Sequence, residues 1–274
     1  MDEVRLFAQK VAVSIVLDGA DEVLRHANVT AVMLKGAWLL TEVYDAEALR
    51  PTTDVDLLVS ESEFEVTLNA FKEAGFSAYV ADWKEVVLDH PALPLPIDLH
   101  RAVFPRHTFA LRNAEVFARS RPSAWHKLRF PHPLDGMASI VGHFAISRDL
   151  AENLARDEDL QRIAEHFGMS PASCAAHFTR VRVARAARYV AATLVDEANT
   201  PQTFCQALLQ ALPPDPLGQG IVELCRFALP RISTQQKLGA LLCCLLEQDL
   251  PNAFVSAASR GRDVVANRIA RRRR

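Results

Sequence analysis

Two aspartates, Asp54 and Asp56, stand one residue apart in the segment RPTTDVDLLV, which covers residues 50–59. The apolar end of this segment is typical of a short buried strand, and residues i and i+2 of a strand point to the same face. Two carboxylates that project side by side repel each other unless a cation lies between them. Oxygen ligands of this kind suit Mg²⁺ or Mn²⁺, which bind one or two carboxylates together with substrate phosphates.

A third carboxylate follows the same logic in the later segment PIDLH, where Asp98 and His100 share one face of a second predicted strand. If that strand lies beside the first, three carboxylates could hold two metal ions roughly 3.5–4 Å apart. Such a pair suits in-line displacement at phosphorus, because one ion activates the attacking hydroxyl and the other neutralises the leaving pyrophosphate. For His100 we expect a supporting or packing role, with a place beside the metal or substrate left open.

A phosphate-binding site is predicted N-terminal to Asp54, where VMLKGAWLL combines a strand, a tight turn at Gly36 and the start of a helix. Glycine lets the backbone approach an anion closely, and a helix N-terminus offers unpaired N–H groups. Lys35 and Arg50 could add positive charge there. The plainer alternatives are that Lys35 reaches solvent and that Arg50 forms a structural ion pair with Asp54 or a neighbouring residue.

The ordered set LKGAWLL, RPTTDVDLLV and PIDLH resembles the nucleotidyltransferase superfamily typified by DNA polymerase beta. That superfamily has a glycine turn, an Asp-x-Asp or Asp-x-Glu strand and a third acidic residue on a later strand. The resemblance is greatest to a group of bacterial, largely uncharacterised nucleotidyltransferases with a Lys-Gly turn, an arginine before Asp-x-Asp and the third acid in IDLH. It covers about residues 30–105 and extends more weakly through residues 133–150.

The resemblance implies roles for the acidic residues. Asp54 and Asp56 would bind both catalytic ions, two Mg²⁺ or Mn²⁺. Asp98 would bind the ion on the nucleophile side and help to deprotonate the acceptor hydroxyl.

The resemblance also implies a nucleotide site at the turn, where Gly36 would let the backbone accept the triphosphate of an NTP such as ATP. The sequence departs from the superfamily at Ala37, where a serine often contacts phosphate. That contact would then come from Lys35, Arg50 or the threonine pair Thr52 and Thr53.

The elements that position these residues indicate an α+β fold with a mixed sheet and flanking helices, nucleotidyltransferase-like, followed by an all-helical C-terminal region. Helical and strand-like patterns alternate up to about residue 104, whereas helical patterns alone run from about residue 132 to the end. Prolines between these points mark loops. We therefore predict a nucleotidyltransferase-like domain over residues 1–120 and a helical domain over residues 121–274 that shapes the acceptor site.

Charge is divided unevenly along the 274 residues: residues 1–100 hold 7 Lys and Arg against 18 Asp and Glu, whereas residues 101–274 hold 24 against 15. This pattern favours an acidic site that needs cations and a basic surface that faces an anionic partner, or two halves that attract each other. Four arginines, Arg180, Arg182, Arg185 and Arg188, are predicted to lie on one helix as a solvated face. The alternative is that they bind RNA or another anionic acceptor. The five cysteines are expected to be small buried side chains.

The N-terminus lacks the pattern of a signal peptide, and the longest apolar run, residues 238–246, is far below the roughly 20 residues that span a bilayer. We expect a cytoplasmic protein with no membrane partner. The predicted function is metal-dependent transfer of an NMP from an NTP to an acceptor hydroxyl, with release of pyrophosphate. The acceptor could be a small molecule, a protein side chain or an RNA 3′ end. The alternative is a binding or regulatory protein of the same fold, toxin–antitoxin-like, without turnover.

Overall fold

The structure, a computed structural model, describes residues 2–44, 50, 52–80, 85–105, 108–147, 158–197, 203–228 and 245–246. It divides into two compact units. The first comprises Met1–Val103 with Arg112–Gly136, and the second comprises Phe104–Leu111 with Met137–Arg274. Whether residues 1–120 and 121–274 act as separate domains stays a prediction.

A seven-stranded mixed sheet forms the centre of the first unit. Its strands are β1 (Ala31–Met33), β2 (Val55–Leu58), β3 (Ser77–Val80), β4 (Glu85–Asp89), β5 (Ile97–His100), β6 (Arg121–Pro122) and β7 (Leu128–Phe130). The helices are α1 (Asp2–Ala27), α2 (Lys35–Trp38), α3 (Phe64–Glu73), α4 (Asn113–Arg119) and the start of α5 (Pro133–Ser147). A π-helical segment, Leu39–Val43, continues α2. The α+β fold class is thereby confirmed.

The strand order across the sheet is β3-β4-β5-β2-β1-β7-β6. The pairs β2–β5 and β1–β7 are parallel, and the other neighbours are antiparallel. The two aspartate-bearing strands, β2 and β5, therefore lie side by side at the middle of the sheet, as the sequence argument required.

The buried face of α1 follows helical spacing through Val13, Val16, Leu17 and Leu24, all with no exposed surface. Val11 and Ile15, although apolar, are 38% and 46% exposed. Both residues lie on the side of the helix that is turned away from the face it buries against α3 and the sheet.

Residues 105–132, where prolines were expected to mark loops, also contain α4 and the β6–β7 hairpin. Strand β7 corresponds to the segment HKLRF and pairs in parallel with β1, which places this hairpin in the central sheet. The strands are too short to show alternation. Pro122 lies in β6, at the edge of the sheet formed by the described residues, where its missing N–H is tolerated.

The described elements of the second unit are helical. They are the rest of α5, α6 (Asp159–His166), α7 (Pro171–Arg180), α8 (Ala184–Glu197), α9 (Thr203–Ala211) and α10 (Pro216–Ala228). Helices predicted beyond residue 228 lie outside the described residues, apart from 245–246.

The predicted arginine-bearing helix is interrupted between α7 and α8, where Arg182 has a φ of 61°. The proposed solvated face is wrong for Arg185, which is 5% exposed and pairs with Asp215 at 3.0 Å. Arg188 donates to the backbone carbonyls of Leu212 and Pro213. These two arginines therefore stabilise the packing of the helical unit.

Three of the five cysteines, Cys174, Cys205 and Cys225, are buried, and burial raises the pKa of the Cys174 thiol to about 11. Cys243 and Cys244 lie outside the described residues. Among the helices that the structure describes, none has both the length and the apolar character needed to cross a membrane.

Candidate functional site

Asp56 and Asp98 lie directly opposite each other on the parallel strands β2 and β5. Two residues further along β5, on the same face, His100 places its Nε2 2.8 Å from Asp56 Oδ1. Asp56 and His100 are each only 2% exposed. The strand geometry therefore concentrates two carboxylates and an imidazole at one buried point of the sheet.

Lys35 follows β1 and directs its ammonium toward the same carboxylate, with Nζ 2.5 Å from Asp56 Oδ1. Burial alone would raise the pKa of Asp56, but the Lys35 ammonium and the His100 imidazole hold it well below its usual range. Burial likewise acts to lower the pKa of Lys35, and the Asp56 carboxylate raises it above its ordinary value. The negative charge of the Asp56 carboxylate is therefore balanced by Lys35 and His100.

Asp98 has the opposite environment. Burial first, and then the carboxylates of Asp56, Glu85 and Asp54, raise the pKa of Asp98 to about 7. Negative charge thus accumulates on this side of the pair, although Lys35 acts against it. A bound cation would relieve this repulsion.

Glu85 was not predicted as part of the site. It opens β4 and pairs in register with His100 of β5, while its carboxylate Oε2 lies 3.5 Å from His100 Nδ1. The segment EVVLD has no alternation that would indicate which way Glu85 faces, because Val86, Val87 and Leu88 are all buried. Only the antiparallel register with β5 brings it to the site.

The donor atoms of Asp56, Asp98 and His100 all lie within 4.8 Å of one another, a spacing that could hold a metal ion. Within the described residues, these three side chains form the group whose spacing suits a metal ion. Carboxylate oxygen and imidazole nitrogen are both established ligands of divalent cations, so the chemistry of the donors fits. Asp54 precedes β2 and is half-buried, and its place among the ligands stays a prediction.

The turn at Gly36 is tightly enclosed by the segment that precedes β2. A Cβ on Gly36 would lie 2.9 Å from Arg50 Nη1 and would collide with Thr52 Oγ1. Arg50 is 2% exposed. Glycine is therefore required here for the close approach of these two side chains, whether or not a phosphate also approaches.

The neighbouring residues of the predicted nucleotide site differ in exposure. Ala37 is fully buried, whereas Thr53 is exposed. Lys35 has a φ of 42°, in the left-handed region that non-glycine residues rarely adopt, and its side chain contacts Asp56. The phosphate-binding roles of Lys35, Gly36, Ala37, Arg50 and Thr53 stay predictions.

Residues 8–194, about two thirds of the chain, match a family described as uncharacterised nucleotidyltransferase. The protein belongs to this nucleotidyltransferase family. The match confirms the resemblance and extends well beyond residues 30–105, on which it was based. No curated protein and no solved structure matches the chain.

Within this nucleotidyltransferase, Gly36→Ala is expected to lower the free energy of unfolding by about 1–3 kcal/mol, because the added methyl group overpacks a closed turn. Urea denaturation of the full-length protein measures the change. The control is Gly220→Ala in α10, where an added Cβ meets nothing within 4 Å. Alanine is the better helix former there, by roughly 0.5–1 kcal/mol. Equal effects of both substitutions would contradict the packing described at Gly36.

Proposed function

We propose that this protein transfers a nucleoside monophosphate from an NTP to an acceptor hydroxyl and releases pyrophosphate. The observation that carries the proposal is the register of Asp56 with Asp98 on parallel neighbouring strands. Membership of a nucleotidyltransferase family supports an NTP as substrate. The acceptor stays open among small molecules, protein side chains and RNA.

Asp54, Asp56 and Asp98 would hold Mg²⁺ or Mn²⁺, with two ions as the expected number. Such ions, when bound, supply charge neutralisation on the phosphates and lower the pKa of the attacking hydroxyl. The acidic environment of Asp98, whose pKa is raised to about 7, supports a cation at this position. Asp98 would also help to accept the proton of the acceptor hydroxyl.

The remaining predicted residues would orient the substrate. Lys35 and Arg50 carry positive charge that complements a triphosphate, and Thr53 offers an exposed hydroxyl. Gly36 and Ala37 follow Lys35 in the short helix α2, and the Lys35 ammonium lies 2.5 Å from Asp56 Oδ1. Their joint effect would be to align the α-phosphate with the acceptor, since phosphoryl-group transfer depends mainly on positioning and charge.

The experiment that tests the proposal follows the α-phosphate. Full-length protein is incubated with α-labelled ATP, GTP, CTP or UTP, a divalent ion and cell lysate as the source of acceptors. We expect label on an acceptor and release of unlabelled pyrophosphate, and no transfer of label from γ-labelled NTP. Asp98→Asn should abolish transfer, whereas Asp89→Asn, at the exposed end of β4, should retain it. Transfer that survives Asp98→Asn would contradict the proposed site.

One observation favours the alternative, a nucleotidyltransferase-fold binding or regulatory protein without turnover. The Lys35 ammonium already balances the Asp56 carboxylate at 2.5 Å, as a structural ion pair would. That protein would bind nucleotide without transferring label to any acceptor. Nucleotide binding by wild type, measured by calorimetry alongside the labelling assay, distinguishes the two functions.

A further inference from the structure

The imidazole of His100 lies between two carboxylates that come from different strands. Its Nε2 is 2.8 Å from Asp56 Oδ1, and its Nδ1 is 3.5 Å from Glu85 Oε2. The strand registers impose this arrangement, because β5 pairs His100 with Glu85 on one side and Asp98 with Asp56 on the other. Nε2 is therefore the ring nitrogen that faces Asp56, and Nδ1 is the one that faces Glu85.

A neutral imidazole carries one N–H, so the carboxylate that receives it decides which nitrogen keeps a lone pair. In this arrangement Asp56 is the nearer acceptor, so Nε2 donates to it at 2.8 Å. A metal ion bound at Nε2 would take the place of this proton and leave the proton of the neutral ring on Nδ1, beside Glu85. A histidine that ligates a metal usually donates its other N–H to a carboxylate in this way. Glu85, whose carboxylate lies 3.5 Å from Nδ1, is placed to receive that N–H once a metal ion binds Nε2.

The composition of the donor set affects which ion binds. Mg²⁺ favours oxygen ligands and retains its water molecules, whereas imidazole nitrogen suits divalent transition ions. Asp56, Asp98 and His100 offer two carboxylates and one imidazole within 4.8 Å. Mn²⁺ accepts both kinds of ligand, so this mixture favours it over an ion that gains little from nitrogen.

We infer that His100 is a direct metal ligand, oriented by Glu85, and that the centre therefore prefers a divalent transition ion such as Mn²⁺ to Mg²⁺. The inference rests on the proposed function and specifies the class of ion that it uses. It replaces the supporting role expected for His100 with a ligand role, and it gives Glu85 a positioning role.

The direct test is pulsed electron paramagnetic resonance of the full-length protein after chelator treatment and loading with Mn²⁺. We expect modulation of the Mn²⁺ signal by one ¹⁴N nucleus, which changes to the ¹⁵N pattern when histidine is ¹⁵N-labelled. The wild-type spectrum alone decides the ligand, so the test does not depend on the folding of a variant. Mn²⁺ bound without nitrogen coupling overturns the inference, and so does an absence of Mn²⁺ binding.

The selectivity is tested by calorimetric titration of Mn²⁺ and Mg²⁺ into wild type and Glu85→Gln. Loss of the orienting carboxylate is expected to weaken Mn²⁺ binding about 10–100-fold and to change Mg²⁺ binding much less. His26→Asn, which removes an exposed imidazole from α1, should leave both affinities unchanged. An equal loss for both ions in Glu85→Gln would overturn the selectivity.

Failure of this inference is distinguishable from failure of the proposed function. Label transfer from α-labelled NTP without nitrogen coupling would support the proposed transferase function and show that His100 is not a metal ligand. Nitrogen coupling without label transfer would support His100 as a ligand and contradict the proposed transferase function.

Discussion

Asp56→Asn is expected to lower the free energy of unfolding of the metal-free protein by about 3 kcal/mol, the scale of a broken buried ion pair. The reason is that the Asp56 carboxylate balances Lys35 and His100, and the side chains of Asp56, Lys35 and His100 are only 3%, 17% and 2% exposed. An amide of the same shape removes the negative charge and leaves the ammonium buried without its counter-ion. Urea denaturation in the presence of EDTA measures this change.

The same substitution is expected to reduce nucleotide transfer about a thousandfold or more, because it removes a carboxylate from the proposed metal ligands. The stability control is Glu65→Gln, which breaks the exposed pair with Arg101 at 3.2 Å. Exposed pairs contribute about 0–1 kcal/mol, so this variant should unfold almost as wild type does. If both variants lose the same stability, Asp56 does not have the balancing role described above.

The central part of the site was predictable because strand geometry is periodic. The i, i+2 rule placed Asp98 and His100 on one face, and the two carboxylate-bearing strands proved to be neighbours. Gly36 was also found from sequence, although its closest contacts are protein side chains, Thr52 and Arg50. These inferences needed only local rules and one assumption about strand adjacency.

Other features depended on register and on unusual backbone conformations, which local patterns do not encode. Glu85 reaches the site only because β4 pairs antiparallel with β5 in one particular register. Lys35 meets Asp56 from a left-handed backbone position, and such a position is unexpected for lysine. The role of Arg185 depends on Asp215, thirty positions away in a separate part of the helical unit.

Asp56 and Asp98 face each other but lie in opposite electrostatic environments. Asp56 is balanced by Lys35 and His100, whereas Asp98 meets the negative charge of Asp56 and Glu85. An arrangement that is costly without a ligand is common where binding supplies the missing charge. Substitution of Asp98 should therefore change the stability of the metal-free protein in the opposite direction to substitution of Asp56.

Asp98→Asn is expected to stabilise the metal-free protein at pH 8, on the order of 1 kcal/mol after allowance for its partial exposure. Because the pKa of Asp98 is raised from 3.8 to about 7, the folded state binds more protons than the unfolded state between these values. The contribution of Asp98 to wild-type stability therefore falls as pH rises through this window. Asparagine has no such titration, so the stability of the variant relative to wild type should increase between pH 5 and pH 8.

Urea denaturation at pH 5 and pH 8, with EDTA and again with Mn²⁺, measures this contrast for wild type, Asp98→Asn and Asp89→Asn. Mn²⁺ should stabilise wild type and Asp89→Asn but not Asp98→Asn, since a ligand stabilises only the folded state that binds it. Asp98→Asn would then lose metal binding and label transfer but gain stability in the absence of metal. General damage to the fold cannot produce this combination. A variant less stable than wild type at pH 8 would show that the Asp98 carboxylate stabilises the fold, and that repulsion from Asp56 and Glu85 does not govern the site.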